Sequence, residues 1–500
     1  MGTKYLYGAS VQGIQSFIFQ TNALQEIAGA SELVEQICTT LFADAIGSSI
    51  DNLEQDPNAI LTAAGNIKYL FDDPVICRAL VLNFSKTVME YAPGITLSQA
   101  VVQVSDRQLV QADFDELETK LKAQRNKPFN PIGWGLMAIN RSRRTGLPTV
   151  EIVNSKKGKL FLDEGLKSKR QNNINRISKA FFTRHFTEQK LPFELKDITK
   201  SKGENYSWLA VIHADGNNMG ALIHRMASEI DSKGEANFIE KFRSFSLTID
   251  KSTKEAASEA YAVISSNCKL ENHKYPFRPV VIGGDDLTVI CRADLALEFT
   301  KLFLEKFEEK TRTSLSSLNL TSLNHGLTAC AGIAYVKESY PFHYGYQLAE
   351  ELCTHAKSEA RKLNSLNNGL TPSCLMFHKV LDSFIENYHE IISRELSADE
   401  VSFDFGPYFI NNEPGVSKLI KQVEVLEDEK GNAIKSSLRQ WLTDLYKNRE
   451  LADQKMDRLL SIGDSDKLKQ LDLKNNKGIV NMKSPVFDWL SIASINQGGN

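Results

Sequence analysis

Hydrophobic and polar positions predict the same order of strands and helices twice along the chain. In the first copy, residues 4–11 predict a strand, and the helix after it carries apolar residues at roughly helical spacing. Residues 58–73 predict a hairpin that turns at Gly65-Asn66, and a further helix leads to a strand over 95–106. This order, βαββαβ, is the ferredoxin-like pattern.

The second copy begins at WLAVIHAD, residues 208–215, which predicts a strand. A helix, a hairpin, a helix and a strand follow: MGALIHRMASEI (219–230), FRPVVIGGDDLTVIC (277–291), DLALEFTKLFLEKFEEK (294–310) and GLTACAGIAYV (326–336). Two units with the same order indicate a pseudo-duplicated protein.

From about residue 375 the apolar residues recur at steps of three and four, which predicts helices. The clearest examples are FHKVLDSFIENYHEII (377–392) and SSLRQWLTDLYKNRELADQKMDRLL (436–460). Five hundred residues are too many for one ordinary core. We therefore expect the α+β class, with ferredoxin-like domains at 1–119 and 206–372, a basic inter-domain region at 120–205 and a helical domain at 373–500.

Composition places the chain among globular proteins and away from membranes. Hydrophobic residues make up 42% and charged residues 24%, and no apolar run is long enough to span a bilayer. The first residues lack the charged, apolar and small-residue segments of a secretory signal, so we expect a cytoplasmic protein with no membrane partner. Seven scattered cysteines without a close pair predict reduced core thiols and no zinc site.

Charge is unevenly distributed although the net charge is only −3. The segment 120–176 holds fourteen Lys and Arg residues against three acidic residues. Such a stripe is typical of a surface that binds polyanions such as RNA, and equally of a plain solvated face.

The hairpin VVIGGDDLTVIC sets Asp285 and Asp286 between two runs of β-forming residues. Adjacent carboxylates at a tight turn repel each other unless a positive charge lies nearby, and Mg²⁺ or Mn²⁺ would supply it. Gly283 and Gly284 are expected to allow positive φ values and the approach of a ligand. An ordinary exposed hairpin is the alternative, since Gly-Gly and Gly-Asp are common turn residues.

A third carboxylate, Asp215, ends the strand in LAVIHADGNNMG. In a ferredoxin-like sheet the first strand lies beside the central hairpin, so we expect Asp215 to meet Asp285 and Asp286. The start of the next helix would favour a triphosphate there through its free N–H groups and its dipole. This arrangement predicts metal-dependent attack of a ribose hydroxyl on an α-phosphate. Lys357 is either a triphosphate contact or a solvated surface lysine.

Several stretches resemble the large palm-domain subunit of type III CRISPR effector complexes, the cyclic oligoadenylate synthetase. They are VQGIQSFIFQTNALQEIAGASELV (11–34), LAVIHADGNNMG, VVIGGDDLTVI, LTACAGIAY and YPFHYGYQLAEELCTHAKSEAR (340–361). The resemblance covers most of the chain and implies that both ferredoxin-like domains are palms. The first palm carries Ala63-Ala64-Gly65-Asn66 at its hairpin, so it is expected to bind nucleotide without catalysing.

The resemblance also assigns roles by position. It implies that Asp215, Asp285 and Asp286 are the catalytic metal ligands. Nucleotide contacts are implied for the residues around them, namely Gly216, Asn217, Gly283, Gly284 and Lys357. In the first palm, Gly29, Ala30 and Ser31 would help to hold a second ATP, with a close packing contact as the alternative explanation of the glycine.

The activity implied by the resemblance is the joining of ATP through 3′-5′ linkages into cyclic oligoadenylates. Implied partners are the other subunits of a guide-RNA effector complex, with guide and target RNA. The chain departs from many relatives in starting at the first palm without an HD nuclease domain, so no DNA cleavage is expected. It also has Cys330 where a serine is frequent.

Two alternatives to this function stay open. One is a stand-alone synthase of cyclic di- or trinucleotides in another defence pathway. The other is a catalytically inactive, RNA-binding structural subunit, which the basic segment 120–176 would support.

Overall fold

A computed structural model describes most of the chain. The described residues are 3–105, 109–127, 138–155, 158–172, 174–203, 205–232, 238–268, 274–363, 370–381, 387–398, 400–429 and 431–498.

The first ferredoxin-like unit has the predicted order of elements. It comprises β1 (Thr3–Gln12), α1 (Ile14–Ile18), α2 (Leu24–Cys38), α3 (Thr40–Ala45), α4 (Ile50–Gln55), β2 (Ala59–Ala63), β3 (Asn66–Phe71), α5 (Pro74–Tyr91) and β4 (Thr96–Ser105). The strand order β2-β3-β1-β4 puts β1 in the centre, antiparallel to both neighbours. α5 begins where the sequence directs it, because Asp73 accepts the Val75 N–H at 2.7 Å and Pro74 occupies the first helical position.

The region after the first sheet contains a hairpin that the sequence analysis did not predict. Its elements are α6 (Gln111–Arg125), β5 (Glu151–Ser155), β6 (Gly158–Leu162), α7 (Glu164–Gln171), α8 (Arg176–Phe182) and α9 (Leu195–Thr199). The predicted loops and short helices are present, together with the antiparallel pair β5–β6. The predicted domain boundary at residue 119 falls inside α6.

The second unit repeats the first sheet and extends it. It comprises β7 (Trp208–Gly216), α10 (Met219–Ser232), α11 (Phe238–Cys268), β8 (Phe277–Gly283), β9 (Asp286–Arg292), α12 (Ala293–Leu315), β10 (Ala329–Lys337), α13 (Phe342–Arg361) and β11 (Cys374–Lys379). The order β10-β7-β9-β8 matches β4-β1-β3-β2 of the first unit. β11 is added parallel to β10, on the side away from β7. The 31-residue α11 was missed by the sequence analysis.

The remaining elements are mostly helical, as predicted. They are α14 (Tyr388–Arg394), β12 (Ser397–Ala398), β13 (Val401–Ser402), β14 (Tyr408–Phe409), α15 (Val416–Glu427), α16 (Gly431–Leu445), α17 (Arg449–Ile462), α18 (Ser465–Gln470), α19 (Leu473–Asn476) and α20 (Val486–Asn496). β14 pairs with β11 and completes a six-stranded sheet. No helix within the described ranges combines the length and the apolar character needed to cross a bilayer.

The predicted helix over 377–392 is wrong at its start. Phe377, His378 and Lys379 belong to β11, and 382–386 lie outside the described residues. All six residues of β11 are buried, so both faces of this strand meet the core. A strand buried on both faces has a continuous apolar run, which periodicity cannot distinguish from a helix.

The two ferredoxin-like units pack together through α1, the segment between α1 and α2, and α13. The rings of Phe19 and Tyr346 stack with centroids 4.1 Å apart, and Gln15 Nε2 donates to the Tyr346 hydroxyl at 3.1 Å. Asn22 accepts the N–H of Phe342 at 2.8 Å, at the first residue of α13. These contacts place α2 opposite the hairpin β8–β9, where the predicted site lies.

Candidate functional site

Three carboxylates meet where β7 ends beside the hairpin. Asp215 lies at the end of β7, Asp285 in the hairpin turn and Asp286 at the start of β9. β7 and β9 pair antiparallel, with Ala214 opposite Leu287, which brings the following and preceding aspartates to one edge. One oxygen from each carboxylate lies within 4.8 Å of the others. The predicted convergence of the three acids is confirmed.

Glycines make this close approach possible. Gly283 pairs with Asp286, which leaves Gly284 and Asp285 as a two-residue turn, and Gly284 has φ +59°. Gly283 is extended strand backbone, so the expectation of positive φ at both glycines was wrong for Gly283. A Cβ on Gly216 would lie 2.6 Å from Asp285 Oδ2, so a side chain there would push the acid away.

The electrostatics of the trio favour a bound cation. Burial, followed by the charge of Asp215, raises the pKa of Asp285 to about 6. Burial and the two neighbouring carboxylates raise the pKa of Asp286 well above its usual range. Three oxygen donors with surplus negative charge fit a hard divalent cation such as Mg²⁺ or Mn²⁺.

Lys357 lies within this site. Its ammonium group forms an ion pair with Asp215 and donates to the Gly216 carbonyl at 2.9 Å. Only 13% of its side chain is exposed, so it is not a solvated surface lysine. α13 can bring it there because Gly332 lets the helix approach the sheet: a Cβ on Gly332 would meet the Ala349 carbonyl at 2.0 Å.

The turn from β7 into α10 is held by side-chain amides. Asn217 donates its N–H to the Thr328 carbonyl at 2.8 Å and its Nδ2 to the Thr328 hydroxyl at 3.0 Å. Asn218 takes φ +57° and donates to the Thr371 hydroxyl at 2.9 Å. Asn217 therefore fixes the course of the turn, and its amide group is engaged by Thr328 in this structure. The first turn of α10 begins directly beyond it.

A cavity of about 190 Å³ lies between the two ferredoxin-like units beside the trio. Its walls are mainly apolar, and both units contribute residues to them. Its polar lining comprises Gln15, Ser31, Glu35, His213, Asp286, Thr288 and Tyr346. Such a shape, apolar with a few polar groups and ending at carboxylates, suits a flat heterocycle joined to an anionic group near a cation.

The three predicted contacts on α2 separate into two groups. A Cβ on Gly29 would lie 1.8 Å from the Lys169 carbonyl, so this glycine is required for close packing against α7. Ala30 is fully buried. Ser31 lines the cavity, and its hydroxyl donates to the Val280 carbonyl in β8. Of the three, Ser31 is the one placed to contact a ligand.

Buried acids on α2 hold part of the basic region in place. The fully buried Glu26 pairs with Arg144 and Arg170. Glu32 accepts the N–H groups of Arg176 at 3.0 Å and Ile177 at 2.9 Å, and burial raises its pKa to about 7. Part of the positive charge at 120–176 thus balances acids of the first ferredoxin-like unit rather than forming an open surface.

Cysteines are core residues where they are described. Six of them are buried free thiols, as predicted. Cys330 pairs with Asp215 across β7–β10, and its sulfur lies 3.4 Å from that of Cys374. Cys330, the residue of β10 that lies opposite Asp215, is therefore buried inside the sheet.

Sequence analysis missed two residues that touch the hairpin turn. Asp250 and Thr253 on α11 form hydrogen bonds with Gly284. The available signal was helical periodicity across α11, where Phe242, Phe245 and Ile249 are buried. Further along, the buried residues include three small alanines beside Tyr261 and Ile264.

Comparison with known proteins finds a family and a fold. Residues 208–366 match a family model described as Cas10/Cmr2, second palm domain. No curated protein sequence matches the chain.

Solved structures resemble the chain over almost its whole length. The crystal structure of a Csm1–Csm4 cassette in complex with cA3 matches 99% of this chain and 70% of the other, with TM-score 0.56 and 15% identity. The cassette in complex with AMPPNP matches 99% of this chain and 69% of the other, with TM-score 0.56 and 15% identity. The cassette in complex with one ATP matches 99% of this chain and 70% of the other, with TM-score 0.52 and 14% identity. At this identity the likeness establishes the fold.

Proposed function

We propose that this chain, whose residues 208–366 match the second palm domain of the Cas10/Cmr2 family, joins ATP into cyclic oligoadenylates and releases pyrophosphate. One observation carries the proposal: three carboxylates within 4.8 Å of one another, beside a buried lysine and an inter-palm cavity. The similar cassettes were solved with cA3, AMPPNP and ATP, which supports this substrate and product.

Asp215, Asp285 and Asp286 would hold Mg²⁺ or Mn²⁺ as oxygen ligands. Bound there, such cations supply activation of a ribose 3′-hydroxyl and neutralise charge that grows on the α-phosphate. The carboxylates then act by holding charge in place rather than by moving protons. An O–P bond would form between the 3′-oxygen and the α-phosphorus as the bond from the α-phosphorus to the α,β-bridging oxygen breaks. Pyrophosphate would leave with that oxygen, and the proton of the 3′-hydroxyl would pass to solvent.

Other residues of the chain orient the triphosphate. The Lys357 ammonium lies beside Asp215 and would contact phosphate oxygens, and the first turn of α10 favours anions through its N–H groups. Gly216 and Gly283 leave room for the nucleotide because neither carries a side chain. Positioning and electrostatics of this kind supply most of the catalysis in phosphoryl-transfer enzymes.

The inter-palm cavity would accept the base of an ATP. Ser31 on α2 and Ala64 in the first-palm hairpin line it, opposite Thr288 and Asp286. The first-palm hairpin residues 63–66 carry no carboxylate, so this palm would bind nucleotide without holding metal. A joining reaction needs two nucleotides, and one palm on either side of the cavity provides for both.

Partners are proposed from the same family. The matched structures are cassettes of Csm1 with Csm4, and we extend this to a cytoplasmic complex with further subunits, guide RNA and target RNA. Exposed basic residues such as Lys122, Lys127 and Arg143 are available for RNA contacts, beside those engaged by α2.

Mass analysis of products tests the proposal. The chain, alone and assembled with guide RNA, target RNA and partner subunits, is incubated with ATP and Mg²⁺ or Mn²⁺. We expect pyrophosphate and cyclic oligoadenylates that disappear in an Asp285→Ala, Asp286→Ala double variant. Absence of products under every condition, or equal products from the double variant, would refute it.

The same experiment separates the two alternatives. A stand-alone synthase would form short cyclic products without RNA. A structural subunit would bind RNA with strong salt dependence and would show no metal-dependent ATP binding.

A further inference from the structure

One residue of the metal-site hairpin, Gly284, is held by α11 at both its backbone N–H and its backbone carbonyl. The Gly284 N–H donates to Asp250 Oδ1 at 3.2 Å, and the Thr253 hydroxyl donates to the Gly284 carbonyl at 2.6 Å. Gly284 immediately precedes Asp285 and has φ +59°. The two bonds therefore fix the two peptide planes on either side of Gly284, and the second of these planes leads directly into Asp285.

Both partners are themselves fixed. Thr253 is fully buried, and its hydroxyl also lies 3.1 Å from the Ile249 carbonyl of the preceding helical turn. Asp250 uses its second oxygen for an ion pair with Lys254, at 2.7 Å. Each side chain is thus held in one position. A side chain has to be fixed in this way if it is to hold a neighbouring turn in place.

The helix that carries them is attached to several parts of the molecule. Arg243 donates to the Glu54 carbonyl of the first palm at 2.6 Å. Further along, the ring of Tyr261 packs with Phe181 of α8, with centroids 5.4 Å apart. α11 therefore spans the molecule as a fixed element, with the hairpin turn attached between these two contacts.

The carboxylates would separate without such a restraint. Asp215, Asp285 and Asp286 repel one another in the absence of a cation, and a two-residue turn at the end of a hairpin is its most deformable part. Ladder bonds of β8 and β9 end at the pair Gly283 and Asp286, so they do not restrain Gly284.

We propose that Thr253 and Asp250 are positioning residues, which hold the Gly284 turn so that Asp285 stays within reach of a cation shared with Asp215 and Asp286. The inference rests on the proposed function for the use of this cation site. The two side chains contact the turn and do not bind the cation. Their effect is on how well the site is formed before the cation arrives.

Titration of the full chain with Mn²⁺ alone, followed by electron paramagnetic resonance, tests this. Thr253→Val removes the hydroxyl and keeps the shape of the side chain. We expect it to weaken Mn²⁺ binding by about threefold to tenfold, the effect of one buried hydrogen bond. Thr253→Ser restores the hydroxyl and should restore the affinity. Asp250→Ala should weaken binding further, because it also removes a nearby negative charge.

Thr300→Val is the matched control. Thr300 is also a fully buried helical threonine, and its hydroxyl donates to the Ala296 carbonyl at 2.8 Å in α12. This variant should lower thermal stability to a similar extent and leave Mn²⁺ affinity unchanged. Equal Mn²⁺ affinity in Thr253→Val and the wild type would overturn the inference, and so would equal weakening by Thr300→Val.

Asp285→Ala distinguishes failure of the inference from failure of the proposed function. If the wild type has a saturable Mn²⁺ site that Asp285→Ala removes and Thr253→Val does not change, the site is real and the positioning role is wrong. If the wild type has no such site, the proposed function falls and the inference with it.

Discussion

Lys357 and Asp215 form an ion pair at the point where β7 ends, and the same ammonium group donates to the Gly216 carbonyl at 2.9 Å. The lysine therefore supplies positive charge to the carboxylate trio in the absence of a metal. A divalent cation at Asp215 has to share this carboxylate with Lys357 or displace it. The pair thus links the metal site to the place where phosphate oxygens would lie.

Lys357→Met should change the binding of metal and nucleotide in opposite directions. Without the ammonium group, Mn²⁺ alone should bind about fivefold more tightly, since removal of a nearby like charge is worth about 1 kcal/mol. The ATP analogue AMPPNP should bind about tenfold more weakly, since a charge-assisted bond to phosphate is lost. Isothermal titration calorimetry with each ligand measures both. Lys362→Met removes an exposed lysine paired with Glu359 and should change neither; weaker Mn²⁺ binding by Lys357→Met would contradict the prediction.

Asp285→Asn should stabilise the metal-free protein at neutral pH. The folded-state pKa of Asp285 is about 6, above the value of 3.8 for a free carboxyl, so the folded state binds the proton more tightly. The protonated Asp285 carboxyl therefore contributes fully to the free energy of unfolding below pH 4, and this contribution is lost as the pH rises through 6. At pH 7 we expect a gain of about 1–3 kcal/mol in the variant, from about 1.4 kcal/mol per pKa unit.

Thermal unfolding in EDTA between pH 4 and 8 measures this difference, which should shrink toward pH 4. Adding Mg²⁺ should stabilise the wild type and leave Asp285→Asn almost unchanged, because ligands stabilise only the state that binds them. Asp457→Asn alters an exposed acid paired with Lys477 and serves as the control. A lower midpoint in metal-free Asp285→Asn at pH 7 would show that the trio is not under electrostatic strain.

Gly29→Ala should destabilise the first palm. Its Cβ would lie 1.8 Å from the Lys169 carbonyl, and α2 would have to move away from α7. The expected loss is about 3 kcal/mol, the upper range for an overpacked site. Gly220→Ala is the control, since a Cβ there meets nothing within 4 Å, and it should be neutral or slightly stabilising. Circular dichroism melting curves compare the two, and an unchanged midpoint in Gly29→Ala would exclude the packing role.

Asp488→Asn should make the free energy of unfolding fall less between pH 5 and pH 8 than it does in the wild type. Burial raises the pKa of Asp488 to about 8, and Tyr408 donates to its carboxyl at 2.7 Å. The folded state therefore keeps a proton that the unfolded chain loses near pH 4, and this stability is lost as pH rises through 8. Urea unfolding at pH 5, 6.5 and 8 should show a smaller decrease in the variant. Asp466→Asn, at an exposed position on α18, should decline like the wild type.

The sequence predicted the parts of the site that strong strand patterns carry. β7 and the hairpin β8–β9 have long apolar runs with acids at their ends, so the ferredoxin-like order alone brought Asp215 to Asp286. The role of Ser31 at the cavity wall, by contrast, depends on how α2 packs on β8. That packing is a tertiary contact between residues 249 positions apart, which a local pattern does not contain.

Elements whose burial is unusual were missed or misread. α11 buries the small residues Ala256, Ala257 and Ala260, which give little hydrophobic contrast in that part of the helix. β11 is buried on both faces and resembled part of a helix. β5 and β6 mix apolar with polar residues, and Leu162 is the one buried side chain among those described in the pair, so no alternating buried face marks the hairpin.

The buried partners of α2 also bear on how the first palm depends on the segment that follows it. Glu26 is closed off from water and is neutralised by Arg144 and Arg170, which follow the first sheet by dozens of residues. A fragment that ended after β4 would contain Glu26 but lack Arg144 and Arg170, the two residues that balance its charge. The first palm is thus not a separable module, and a dissected protein would have to retain the segment through α8 to keep that palm intact.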